Sequence, residues 1–125
     1  MPKIGWVVIV LALLEGGWLA FDGARAFVAG DYVTPRSGRH AGELGPWSKL
    51  VTAVGIDPRS TLMKGIHVAV GGAWLVAIAA FAWGASWSWW AMLACAVAGL
   101  WYLPFGTLLS LIQIVLLMLV RQRGG

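Results

Sequence analysis

Eight of the fourteen charged side chains fall between Gly30 and Lys64, and the runs on either side of that stretch are almost free of charge. Soluble domains carry about 25% charged residues spread over their surface, whereas this chain has 11% and is 60% hydrophobic. A run of roughly 20 apolar residues crosses the hydrocarbon core of a bilayer. The 125 residues therefore read as one all-α integral membrane domain, residues 1–125, with the bilayer as its solvent and no room for a separate soluble unit. A net charge of +4 then points to anionic lipid headgroups rather than to nucleic acid.

Four transmembrane helices are predicted, at about 4–25, 62–83, 87–103 and 105–120, with a polar connection over 30–61. The first 26 residues imitate a secretory signal, with Lys3, an apolar stretch from Ile4 to Leu14 and Ala24-Arg25-Ala26, and are read as the first span. Small residues recur every fourth position at Ala12, Gly16, Ala20 and Ala24, at Gly65, Ala69, Ala73 and Ala77, and at Ala91, Cys95 and Gly99. Such ridges let helix backbones approach closely in lipid. Between the last two spans, Pro104 and Gly106 mark a reversal, because a single helix over 87–120 would be about 50 Å long. Aromatic residues fall into two belts, Trp6, Trp83, Trp87, Trp89 and Trp90 on one side and Tyr32, Trp47, Trp101 and Tyr102 on the other.

Within the connection, Trp47, Leu50, Val51 and Val54 follow helical spacing after Pro46. The expectation is a short amphipathic helix over Pro46–Val54 lying flat at the headgroup level, with Trp47 as its anchor. Asp57-Pro58 reads as the cap of the next helix, Asp57 accepting from the free amides of Arg59 and Ser60. Six Lys/Arg on the connection side, against three on the side of both termini, place the connection in the cytoplasm, and the overall character is that of a bacterial cytoplasmic membrane protein.

Few side chains carry chemistry. Glu15 lies about 16 Å into the first span at 1.5 Å per residue, and Gln113, counted back from Pro104, reaches the same depth. An ionisable group at that depth is costly, so the expected arrangement is a protonated Glu15 hydrogen-bonded to Gln113. Asp22 shares the Glu15 face, and Asp22 and Arg25 are spaced to pair. Arg36, Arg39 and His40, with Gly38 among them, form a candidate contact for a phosphate or lipid headgroup. His67, with Gly71 one turn on, is the single candidate ligand for a haem or chlorophyll-type group, and otherwise no cofactor is predicted. Asp31, His40, Glu43 and Asp57 do not repeat the spacing of a metal site, and the lone Cys95 serves packing. No catalytic motif is present.

The leading functional expectation is a small non-catalytic accessory or scaffold subunit, packed against larger membrane proteins or itself through its small-residue ridges and aromatic surface. The alternative is a small transporter or proton-handling protein using Glu15, Asp22 and Arg25. An enzyme of lipid or quinone chemistry at the Arg36–Glu43 surface comes third, since no nucleophile or base pair accompanies it.

Overall fold

A computed structural model of the chain describes residues 3–35, 39, 42–102 and 104–124, with side chains placed as far as Arg121. Among the described residues the structure is all-helical, with five helices: α1 (Lys3–Ala29), α2 (Trp47–Ala53), α3 (Thr61–Trp83), α4 (Ser88–Ala98) and α5 (Phe105–Gly124). Two of them, α1 and α3, are long and apolar enough to cross a membrane. At 1.5 Å per residue their 27 and 23 residues rise about 40 Å and 35 Å, against a hydrocarbon core of about 30 Å.

The four longer helices form a closed ring in which α1 touches α3 and α5, and α4 touches the same two. Direction follows from the register. Gly16 faces Trp74, Gly71 faces Ala20, and Gly23 faces His67 and Val68, so α1 and α3 are antiparallel. Trp18 meets Tyr102 while Glu15 meets Ser110 and Gln113, so α1 and α5 are antiparallel too. At the far end Trp89 Nε1 donates to the Leu117 carbonyl at 2.8 Å, and the Arg121 guanidinium lies 4.5 Å and 4.7 Å from the Trp89 and Trp90 ring centroids. That pairs the start of α4 with the end of α5.

Backbone proximity at glycine holds the α1–α3 seam. A Cβ on Gly16 would sit 2.7 Å from Trp74 Cβ, one on Gly23 2.7 Å from His67 Cβ, and one on Gly71 would run into the Ala20 backbone. Close packing of this kind substitutes for the hydrophobic drive that lipid does not supply. It uses a different face of α3 from the ridge expected from sequence: Ala69 and Ala73 are exposed, and Gly65 meets open space.

Two expectations about helix ends need correction. The expected third span, 87–103, is a helix only over Ser88–Ala98, 11 residues or about 16 Å. The chain turns back at Gly99–Pro104, where Gly99 N–H bonds the Cys95 carbonyl and Gly106 N–H the Tyr102 carbonyl at 2.7 Å. Gly99 and Gly106 lie against the Glu15 carboxyl, near the midpoint of α1, so the reversal sits halfway along the bundle. The cap of α3 is Ser60, whose Oγ accepts from Met63 N at 3.2 Å. Asp57 and Pro58 build the turn before it: Asp57 Oδ1 accepts from the Arg59 amide at 2.9 Å, and the Asp57 carbonyl takes both the Ser60 amide and hydroxyl. The Ser60 hydroxyl takes the cap position in place of the expected Asp57 because it stands next to the first helical turn.

The connection fills the half of the ring that the short α4–α5 hairpin leaves open. Helix α2 points Trp47 and Val51 into the protein and leaves Leu50 and Val54 outside. Trp47 is only 4% exposed, so it is a plug in the bundle end and not a headgroup anchor. The second expected belt collapses for the same reason, since Tyr32, Trp47 and Tyr102 are buried together. The first belt does face outward, with Trp6, Trp83, Trp87 and Trp90 exposed.

Candidate functional site

Two fully buried titratable side chains and one nearly buried carboxylate organise the interior. Glu15, on α1, is sealed from solvent, and its carboxyl takes the Ser110 hydroxyl at 3.0 and 2.9 Å and the Gln113 amide nitrogen at 3.0 Å. Ser110 and Gln113 are three residues apart on α5 and so share a face. Gly99 and Gly106 complete the cradle: a Cβ on Gly106 would stand 2.8 Å from Glu15 Oε2, and one on Gly99 would overlap it. All the donors to this carboxyl are neutral. Among the described residues Gln113 Oε1 has no hydrogen-bond partner.

His67, on α3, is enclosed by rings. Its centroid lies 4.7 Å from those of Tyr32 and Trp47, 5.3 Å from Trp101 and 5.6 Å from Tyr102. Nδ1 is 2.9 Å from the Met63 carbonyl. A carbonyl only accepts, so Nδ1 carries the proton, and in the neutral ring Nε2 is a bare lone pair. That nitrogen is buried, with no hydrogen-bond partner among the described residues. Rings stand where a planar macrocycle would have to lie, and the Gly71 gap is filled by the α1 backbone. The site does not fit a haem or chlorophyll-type group.

Asp22 lies seven residues beyond Glu15 on α1 and is 3% exposed. Its Oδ1 accepts from the Val33 amide at 2.6 Å, fixing the exit of the chain from α1. Among the described residues no ion pair joins Asp22 to Arg25, contrary to the i, i+3 expectation. Arg25 Nη1 donates to the Asp31 carbonyl at 2.9 Å, because the chain turns beyond Gly30 and brings that carbonyl within reach. Asp22 opens onto a cavity of about 360 Å³ lined by Trp18, Tyr32, Leu44, Trp47, Tyr102 and Phe105, among others. In this wall Trp18 Nε1 donates to the Tyr102 hydroxyl, and the Tyr32 hydroxyl to the Pro58 carbonyl, both at 2.8 Å. Burial pushes the Tyr32 hydroxyl above its ordinary pKa, and the Asp22 and Asp31 charges add to the effect, so it remains a donor.

The outer rim is fastened by Arg59, whose Nε meets Asp31 Oδ1 at 3.0 Å and whose Nη2 donates to the Gly42 carbonyl at 2.9 Å. Partial burial by itself would raise the Asp31 carboxyl, but the Arg59 guanidinium and the Tyr32 amide outweigh it and hold the pKa below the usual range. Arg39 is exposed on this surface, while Arg36 and His40 lie outside the described residues.

Several contributors escape a reading by residue type. Ser110 carries a signal in being one turn before Gln113. Gly99 and Gly106 look like ordinary turn glycines, and nothing local distinguishes Tyr32 or Trp47 from interface aromatics. Among the described residues, no three His, Cys, Asp or Glu side chains gather to hold a metal ion. No protein-family model, curated protein or solved structure matches this chain.

Proposed function

We propose that this chain is a small multi-pass carrier of the bacterial cytoplasmic membrane, with its connection on the cytoplasmic side, that binds a small molecule beside Asp22 and holds an exchangeable proton on Glu15. The observation that carries the reading is the cavity, whose one charged lining residue among the described residues is Asp22, on the α1 face that also bears Glu15. Apolar walls with a few convergent polar groups are the usual character of a ligand site, and intramembrane carboxyls mark proton and solute paths. Gln113 suits both protonation states of its neighbour. Its nitrogen donates to a carboxylate, and a turned amide presents its oxygen to a carboxylic acid O–H. Arg25 holds the Asp31 carbonyl, next in the chain to the cavity-lining Tyr32.

Reconstitution into proteoliposomes tests the carrier. Added solutes that enter the cavity are expected to speed the decay of an imposed pH gradient. Glu15→Gln removes that effect and Asp22→Asn removes the solute dependence. Decay no faster than in empty vesicles for every solute sinks the reading.

A second reading is the accessory or scaffold subunit, favoured by the outward aromatic rim, where Trp83 is 90% exposed. Mass spectrometry after mild-detergent purification separates it: stoichiometric larger partners support a subunit, and an isolated chain or homo-oligomer removes it.

A further inference from the structure

We infer that the cavity beside Asp22 binds a monovalent organic cation with an apolar body, such as a substituted ammonium; this deepens the ligand-binding part of the proposed function and rests on it.

The carboxylate supplies the first half of the case. Asp22 is more than nine-tenths buried, Oδ1 is committed to the Val33 amide, and Oδ2 accepts no hydrogen bond from a described residue although the side chain lines the cavity. Asp22 lines the cavity, and a cation entering there gains the attraction of its negative charge in a partly desolvated site. The nearest basic residue in sequence, Arg25, has turned its guanidinium to a backbone carbonyl. Among the described residues no Lys, Arg or His lines the cavity, so an anionic ligand would meet a like charge at its wall.

The walls supply the second half. Trp18, Tyr32, Trp47, Tyr102 and Phe105 surround the space, and the negative faces of aromatic rings attract a cation within about 6 Å of their centroids. The Trp18 N–H and the Tyr32 O–H are already spent on Tyr102 and Pro58, which leaves these rings to act through their faces. A volume of about 360 Å³ holds a one-ring ammonium compound. The exposed edges of Trp18, Val33 and Phe105 form an apolar entrance suited to its hydrocarbon part.

The test titrates the purified full chain in detergent micelles by calorimetry, against empty micelles, with benzyltrimethylammonium and with its neutral isostere 2,2-dimethylpropylbenzene. The cation is expected to bind saturably and the isostere at least about tenfold more weakly, through the loss of the attraction between the quaternary ammonium, the Asp22 charge and the ring faces. Asp22→Asn should weaken cation binding by a similar factor, and Phe105→Leu, at the rim, by about two- to fivefold. If Asp22→Asn is not recovered folded, Phe105→Leu and the isostere decide. Equal binding of the two compounds, or cation binding untouched by Phe105→Leu and matched by the isostere, overturns the inference while leaving a neutral-ligand site. Binding of neither overturns both the inference and the ligand-binding reading.

Discussion

Glu15 and His67 are both sealed inside the bundle, yet the surroundings treat them in opposite ways. The carboxyl is met by two donors, the Ser110 hydroxyl shared between its oxygens and the Gln113 amide, and by two glycines that clear space for it. The imidazole has one hydrogen bond, to its own helix, and four rings. The difference follows from what each group needs. A buried carboxyl without donors costs several kcal/mol in a medium that cannot hydrogen-bond, so helix α5 is drawn close enough to provide them. A neutral imidazole has one donor and one acceptor, and with the donor satisfied the ring packs among the aromatics with Nε2 as its one unpaired polar atom. The first centre is therefore held by directional bonds across helices, and the second by shape.

That contrast sets an order of sensitivities, readable as unfolding free energies in mixed detergent micelles. Gly99→Val is expected to do most harm, beyond about 4 kcal/mol, since a side chain there must occupy the space of the Glu15 carboxyl; wild-type stability would mean that the cradle is not tight. On the shape-held side, Trp47→Ala is expected to cost about 3–5 kcal/mol through the void it leaves, and Trp47→Phe much less. If the two cost the same, the cage depends on the indole N–H and the contrast fails. Ser110→Ala is expected to cost about 1–3 kcal/mol by leaving Glu15 Oε2 without its donor, with Ser110→Thr retaining most of the stability. At the exposed rim, Arg59→Ala should cost below about 1 kcal/mol, as Asp31 and Arg59 are 40% and 45% exposed. The Asp31 pKa lies below its ordinary value, so its contribution is present above the ordinary carboxylate range and is lost as the pH falls through the lowered value. In Arg59→Ala the Asp31 resonance should titrate closer to the ordinary value, and this acid-side dependence should shrink.

The depth of Glu15 and Gln113 can be counted from the sequence, and the structure sets these two side chains against one another. Helix positions were legible because apolar runs of that length have few alternatives. The half-depth reversal was not, because Trp101 and Tyr102 look the same whether they end a span at an interface or cap a short hairpin inside a bundle. Once α4 is taken too long, Trp47 and Tyr32 seem to belong at the membrane surface, and the aromatic cage around His67 disappears from view. The Asp22 cavity was hidden for a related reason: its walls come from α1, the connection and the α4–α5 turn, and only folding brings them together.

The antiparallel ring has a practical consequence for topology. The start of α1, the Gly84–Trp87 link and the end of α5 share one end of the bundle, and Gly42 lies toward the other. Because α4 and α5 leave from that shared end and return to it, they add either two crossings or none. With α1 and α3 each crossing a membrane, a reporter fused at either terminus is expected to sense the same compartment, and one inserted at Gly42 the opposite one, however deep the hairpin reaches.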